Sequence, residues 1–316
     1  MRLRHLGYAC INTDLGTKSR TVRLANLRTE SVIPVVVQNL QDVLAALRWN
    51  VERDLRFFRV SSDLIPFGPL PEFPFDWTEA FDWLFRDIRR LVKAEDLRVT
   101  SHPGQYTVLN SPRPDVVQNS IDELDFQAQV LKRMDPKQGT MTLHVGGAYG
   151  DKPAAMDRFA QTLDRLSDDA RSRLAIENDD TTYTLEETVG LAERTGLPVI
   201  VDLFHHILNP GEQGWEEGLT EMMGRAMATW GKRVPKLHLS SHKPGTRTGH
   251  ADFLDMDDVD RMVALMETVG DPDAPYDLML EAKKKECAVL EVRHYLATGE
   301  RPDRPIPMET VEEAEA

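Results

Sequence analysis

The chain has 316 residues, 41% hydrophobic and 28% charged, enough for one large domain or two medium ones, and such a composition excludes disorder as its main state. Its net charge of −14, from 38 Lys and Arg against 52 Asp and Glu, argues against an indiscriminate nucleic-acid binder. Two cysteines, Cys10 and Cys287, cannot form a disulfide framework in this length and read as free thiols of a reducing compartment.

Short β-rich runs recur along the chain, separated by stretches with apolar residues at helical spacing. HLGYACI (5–11) comes first, followed by a helical pattern that includes Val36, Leu40, Val43, Leu44 and Leu47. FFRVSS (57–62) follows, with a helix carrying Phe81, Leu84, Ile88 and Leu91. Next come LRVTSH (97–102), GTMTLHVGG (139–147), RLAIENDD (173–180), PVIVDLFHH (198–206), PKLHLSS (235–241) and YDLMLEAK (276–283). Successive starts lie 25 to 52 residues apart, which suits a strand, a helix and two loops. Eight such units predict an α/β fold, a single (β/α)8 TIM barrel, with its functional site at the C-terminal mouth. An open doubly wound sheet is the competitor, but neither GxGxxG nor GxxxxGK[ST] occurs.

Residues 1–299 are therefore expected to form the barrel, and the acidic stretch 300–316 a disordered tail. No window approaches the ~18 to 20 apolar residues of a membrane span, and the start MRLRHLGYAC lacks the apolar core of a signal peptide. A soluble, cytoplasmic, monomeric protein without membrane contact is expected. Positive charge is locally concentrated all the same. Residues 1–30 hold six basic side chains against Asp14 and Glu30, and residues 222–251 hold Arg225, Lys232, Arg233, Lys236, Lys243 and Arg247 with no acid. A polyanionic partner remains open.

Nearly every strand ends in a residue able to ligate a metal: Ser101-His102, His144, Glu177, Asp202 with His205 and His206, His238 with His242, and Glu281. A lone histidine at a strand end is more often structural. Seven of the nine histidines, however, lie at strand tips or in the loop just after, the seventh being His250, and in a barrel those tips converge. Imidazoles with carboxylates and no thiolate suit Mn²⁺, with Zn²⁺ or Mg²⁺ as alternatives. The set exceeds the needs of one ion, so two or three ions sharing a carboxylate are expected, an arrangement suited to in-line phosphoryl displacement by a metal-activated hydroxide. Lys236 lies two residues before His238 and should share its face, where an ammonium beside dications would be repelled. It must turn away, be neutral, or carry a charge-reversing modification; a lysine bent out to solvent is the bland alternative. In the loops after strands one and three, Tyr8, Asn12, Gln105 and Tyr106 could stack on and hydrogen-bond an exposed base, or merely cap the mouth.

LGYACIN, RTVRLANL, FFRVSSDLIPF, SHPGQY, LHVGGAYGDK, AIENDD, VDLFHHILNP, KLHLSS and LEAKKKE, in this order from about Leu6 to about Glu286, resemble the UV damage endonuclease family of DNA repair enzymes. Apurinic endonucleases of the endonuclease IV type and xylose isomerase-like barrels are more distant. The resemblance implies a divalent-metal endonuclease, usually assigned Mn²⁺. Such an enzyme cuts damaged double-stranded DNA immediately 5′ to pyrimidine dimers, 6-4 photoproducts and abasic sites, leaving a 3′-hydroxyl. It places His102, His144, Glu177, Asp202, His205, His238, His250 and Glu281 as metal ligands, and Glu177 and Lys236 as catalytic, the lysine matching one that the family can carry carboxylated. Gln105 and Tyr106 match residues that probe the lesion, and Tyr8 and Asn12 match others at the damaged nucleotides. One departure stands out: relatives commonly read PFASHP after the second strand, where this chain has Pro66-Phe67-Gly68-Pro69-Leu70-Pro71, so the metal reached by His205 and His250 loses a ligand or recruits His242 or Asp252. The alternative functions are an apurinic endonuclease or a xylose isomerase-like sugar isomerase on the same barrel, and, from another class, a protein that marks lesions without cutting.

Overall fold

In the computed structural model, which describes residues 1–137, 139–212 and 214–303, all eight β-rich runs contain a parallel strand. These are β1 (Arg2–Cys10), β2 (Phe57–Val60), β3 (Arg98–Thr100), β4 (Met141–His144), β5 (Leu174–Glu177), β6 (Val199–Ile200), β7 (Lys236–Leu239) and β8 (Pro275–Leu280). Helices alternate with them: α1 (Thr29–Glu52); α2 (Trp77–Ala80) and α3 (Asp82–Ala94); α4 (Pro114–Met134); α5 (Lys152–Thr162) and α6 (Asp168–Arg173); α7 (Leu185–Thr195); α8 (Leu203–Leu208) and α9 (Leu219–Ala228); α10 (Met256–Thr268); α11 (Lys285–Thr298). Ladders run β3-β2-β1-β8-β7 and β4-β5-β6. Parallel bridges Ser101–Met141 and Asp202–His238 close both seams, so the sheet is a complete (β/α)8 barrel.

The strands are shorter than the runs that announced them. The sixth was expected over 198–206 but ends at Ile200, because the Asp202 side chain accepts from His205 N at 3.0 Å and starts α8. Of the expected tail, residues 304–316 lie outside the described residues.

Period-two alternation divides each strand between two environments. Outward residues such as Tyr8, Phe58, Leu143, Ile176, Leu237 and Leu278 pack with the helices in one continuous core. Inside the barrel the apolar contacts are small and separate: Ala9, Phe57 and Met279 form one cluster, Ala175, Ile200 and Trp230 another. Gly7 is required there, since a Cβ would lie 2.7 Å from the Phe57 ring. Much of the remaining interior is polar.

Asp277, wholly buried near the start of β8, anchors the floor. It accepts from Arg4 Nε at 2.8 Å and Nη2 at 2.6 Å and from Arg98 Nη1 at 2.8 Å. Burial pushes its carboxyl pKa up, but the Arg4 hydrogen bonds and the Arg98 charge outweigh that and hold it below the ordinary aspartate value. A depressed folded-state pKa stabilises the fold above the unfolded value of about 3.9 and ceases to do so as pH falls through the folded value. Asp277→Asn should therefore cost about 3–5 kcal/mol in urea unfolding at neutral pH, by leaving buried guanidinium unpaired. The gap between variant and parent should narrow as the pH is lowered below about 4.

Candidate metal centre

The inward positions at the strand ends bring the expected donors together. Glu177, 1% exposed at the end of β5, lies at the centre. Its Oε2 faces His102 Nε2 at 3.2 Å and His144 Nε2 at 3.6 Å, while Oε1 faces His238 Nδ1 at 2.6 Å. Two groups of donor atoms lie within 4.8 Å of one another: His102, His144 and Glu177 on one side, Glu177, Asp202 and His238 on the other. Glu281 adjoins the second group, with Oε1 3.2 Å from His238 Nδ1. His205 and His250 stand beside them, their ring centroids 6.2 Å apart.

Local structure aims these side chains. Asn178 accepts from Asp202 N and donates to Asp202 O, both at 3.0 Å, and so clamps the end of β5 to the end of β6. Asp202 spends Oδ1 on the cap of α8, whose first turn carries His205 inward. His205 Nδ1 lies 3.0 Å from the Asn178 carbonyl, and His250 Nδ1 lies 3.0 Å from the Glu281 carbonyl. A carbonyl only accepts, so in each ring Nδ1 carries a proton; Nε2 of His250 is left to ligate, and Nε2 of His205 can ligate once that ring gives up its second proton.

The electrostatics follow from mutual burial. Burial would raise the Glu177 pKa, but His238, His144 and the His102 hydrogen bond hold it well below the ordinary glutamate value. Burial also lowers His102 to about 4, keeping that imidazole neutral at pH 7. His205 goes the other way: burial depresses it, but the Asp202 and Glu177 carboxylates win and raise it to about 9. Lys236 is fully buried beneath the cluster and donates to Thr142 Oγ1 at 2.7 Å. Burial, then the charge of Arg59, hold its pKa well below the ordinary lysine value. A lysine bent out to solvent or turned away from the barrel is thus excluded, which leaves a lowered pKa or a charge-reversing modification as the answers to its electrostatic conflict with dications.

Several sequence expectations are corrected. Tyr8 and Asn12 do not reach the mouth. Alternation on β1 turns Ala9 inward and Tyr8 outward, where its hydroxyl donates to Asn50 Oδ1 at 2.7 Å and accepts from Asn12 Nδ2 at 2.8 Å; neither residue is exposed to a base. His206 is buried with Nε2 2.8 Å from the Trp215 carbonyl, and His242 is exposed and engages Thr246 O in its own loop. Asp252 is exposed, so neither it nor His242 belongs to the two donor groups. The basic run 222–251 is also dispersed. Arg225 pairs with Glu186 and Glu193, Arg233 donates to Ser172 O, and Lys236 lies inside the barrel.

Arg59 on β2 was not among the expected site residues. It points inward beside the donors, pairs with Glu281, and leaves Nε without a hydrogen-bond partner. Burial opposes its charge, but Glu281 more than restores it. A charged residue at an inward position of the apolar run FFRVSS was the available signal.

A cleft of about 440 Å³ opens beside the cluster, lined by His102, His144, His205, His250, Gly146, Gly147, Thr248 and the Asp179–Thr182 turn. Gly146 has φ +108°, and a Cβ there would lie 2.4 Å from Asn110 Oδ1, so only glycine shapes this wall. Gln105 also lines the cleft, and next to it Tyr106 is 84% exposed.

The donors fit divalent cations on two grounds. Oxygen and imidazole without thiolate match Mn²⁺, Zn²⁺ or Mg²⁺ preferences. Asp202 Oδ2 is fully buried yet has no hydrogen-bond partner, an uncommon state for a carboxylate oxygen unless a cation meets it.

A closed (β/α)8 barrel with buried carboxylates and imidazoles gathered at its C-terminal mouth defines the class of barrel proteins that work at that face. Within that class the chain belongs to the UV-endonuclease UvdE family, whose model matches residues 4–309. It is 35% identical over 267 residues to the UV DNA damage endonuclease of Bacillus pumilus (strain SAFR-032), covering 83% of this chain and 82% of that protein. The crystal structure of SacUVDE superposes with a TM-score of 0.84 at 35% identity, covering 93% of this chain and 98% of that one. Endonuclease IV from Thermus thermophilus, at TM-score 0.57 and 18% identity over 92% of this chain and 99% of that one, shares the fold. The resemblance read from the sequence motifs holds.

Because Glu177 belongs to both donor groups, Glu177→Gln should weaken binding of Mn²⁺ at both positions by at least about 100-fold, measured by calorimetric titration of chelator-treated protein. Tyr8→Phe should instead cost about 1–2 kcal/mol of stability, by leaving Asn12 and Asn50 unpaired, with Mn²⁺ binding unchanged.

Proposed function

We propose that the protein is a divalent-metal endonuclease of UV-damage repair that hydrolyses the phosphodiester bond immediately 5′ to pyrimidine dimers, 6-4 photoproducts and abasic sites in double-stranded DNA. The observation that carries this reading is the shared position of Glu177 between two donor groups at the edge of a cleft. His102, His144 and Glu177 would hold one cation, and Glu177, Asp202, His238 and Glu281 a second, with Mn²⁺ favoured and Zn²⁺ or Mg²⁺ as alternatives. His205 and His250 would contribute to a third position that lacks a ligand from the Leu70 segment. When bound, the cations supply an activated water and neutralise charge that develops on the phosphate.

The chain's own residues do the rest. Glu177, kept anionic, sets the spacing of the two donor groups. His102, kept neutral, is ready to ligate without losing a proton. Lys236 places its amine beneath the centre, held by Thr142. The cleft beside the donors opens toward the rim, and a photodimer, which stacks and pairs poorly, costs less to extrude than the few kcal/mol an intact nucleotide demands. Gln105 and the exposed Tyr106 stand at its rim, positioned to fill the gap left in the duplex. The alternative of a sugar isomerase has no use for an exposed tyrosine above the cleft, and a stacking probe favours DNA.

An end-labelled duplex with one defined photodimer should be nicked 5′ to the lesion in the presence of Mn²⁺. No product should form with chelator or with Glu177→Gln; sugar epimerisation without nicking would sink the reading. Replacing Gln105 and Tyr106 together by Ala should lower the preference for damaged over intact duplex by about 1–3 kcal/mol, with Mn²⁺ binding unchanged. Full discrimination in that double variant would remove the probing role while leaving the nuclease intact.

A further inference from the structure

We infer that the loops after β7 and β8 form a basic ridge that grips the backbone of the DNA duplex across the mouth from Gln105 and Tyr106. The inference rests on the DNA substrate proposed above and names a surface for it. The two loops are sewn together: Lys283 N donates to Ala251 O at 3.1 Å, Lys284 N to Asp252 O at 2.9 Å, and Lys243 N to Gly249 O at 2.7 Å. His250 Nδ1, 3.0 Å from Glu281 O, ties the same pair of loops to the donor cluster. The result is one continuous rim segment directly beside the candidate metal ligands.

That segment carries Lys243, Arg247, Lys283 and Lys284, all exposed. Among the described residues none of these four side chains has an ion-pair or hydrogen-bond partner, unlike Arg225, Arg20 or Arg56, which acids already neutralise. Their exposed acidic neighbours, Asp252 and Asp255, form no ion pair with them, and Asp255 is occupied in capping α10. Uncompensated positive charge on a chain of net charge −14 is a local feature with an electrostatic cost, and a polyanion offsets that cost.

Topology fixes where the ridge lies. Around the closed barrel β7 is four strands from β3 and β8 three, so the ridge and the loop bearing Gln105 and Tyr106 face each other across the mouth, with the donor cluster between them. The wall between β3 and β7 on the other arc carries Asp180, whose charge disfavours phosphate, beside Asp179, which is buried and bonded to the backbone of its own turn. A duplex lying over the mouth would thus meet the probing side chains on one flank and the four cations on the other. Phosphate contacts of this kind fix the register of the duplex and carry no sequence or lesion information.

The test uses Lys243→Ala/Arg247→Ala and Lys283→Ala/Lys284→Ala, with Lys93→Ala/Lys232→Ala as a control pair away from the mouth. Each protein, loaded with Mn²⁺, is titrated with a fluorescent undamaged duplex over a range of salt, and its kcat and KM are measured on the single-photodimer duplex. Each phosphate that a variant no longer neutralises should reduce the slope of log K against log salt by about 0.9, so each ridge pair should lower it by up to about 1.8. KM should rise with kcat unchanged, and the control should match the parent. Parent-like slopes and KM values in both ridge pairs, with the parent still cutting, overturn the ridge alone. A parent that neither binds duplex nor cuts the photodimer overturns the DNA reading and the ridge with it.

Discussion

Glu177 sits with almost no solvent contact among ring nitrogens of His102, His144 and His238, and the architecture of the whole mouth follows from keeping that carboxylate charged. A lone carboxylate in such a place would take up a proton, because burying the anion costs several kcal/mol. Here three other strands each deliver a facing ring nitrogen, which requires the sheet to close so that β3, β4, β5 and β7 face a common axis. An open sheet would spread those groups along a line. The barrel is therefore the condition for the cluster, and the cluster explains why so much of the barrel interior is polar, with apolar packing confined to two small groups inside.

Stability and site are kept apart along the barrel axis. The floor is held by Asp277, which pairs with both Arg4 and Arg98. The mouth leaves Asp202 Oδ2 and Arg59 Nε without a hydrogen-bond partner in a buried setting. Ion pairing at one end supplies rigidity, and that Asp202 oxygen at the other provides ligating capacity. Lys236 lies between them, its pKa lowered by burial and its amine hydrogen-bonded to a hydroxyl. Asn178 shows how neighbouring strand ends are joined: its amide pins the backbone of Asp202, and its carbonyl orients His205, so one residue sets two donors.

Much of this was legible in the order of residues, and the misses have definite causes. The eight strands and the donors at their tips could be read because period two and strand-end position are local properties. Tyr8 was misplaced by ignoring the same parity rule: Ala9 faces inward, so Tyr8 cannot. The end of β6 was overrun because VDLFHH looks like a continuous strand until Asp202 is recognised as a helix cap. The basic run 222–251 failed for a different reason, as a linear stretch crosses from the outer face of α9 through the barrel floor to the mouth, and only Lys243 and Arg247 emerge near the donors. Charge on a chain becomes charge on a surface only through the fold.

That last point bears on how one barrel supports different chemistries. Endonuclease IV from Thermus thermophilus shares the architecture at low identity. A fold so widely shared cannot by itself select a substrate. The strand tips supply a donor set suited to divalent cations, which stabilise charge on a phosphate as readily as on a sugar oxygen. Selection must come from what surrounds that set. In this chain the surroundings are an exposed aromatic on the β3 loop, a narrow cleft whose wall admits only glycine at position 146, and unpaired cations beyond β7 and β8. A small sugar would touch the cleft and ignore both flanks. On the proposed reading, a bent or unstacked duplex, with a nucleotide out of the stack and phosphates on either side, would engage all three at once.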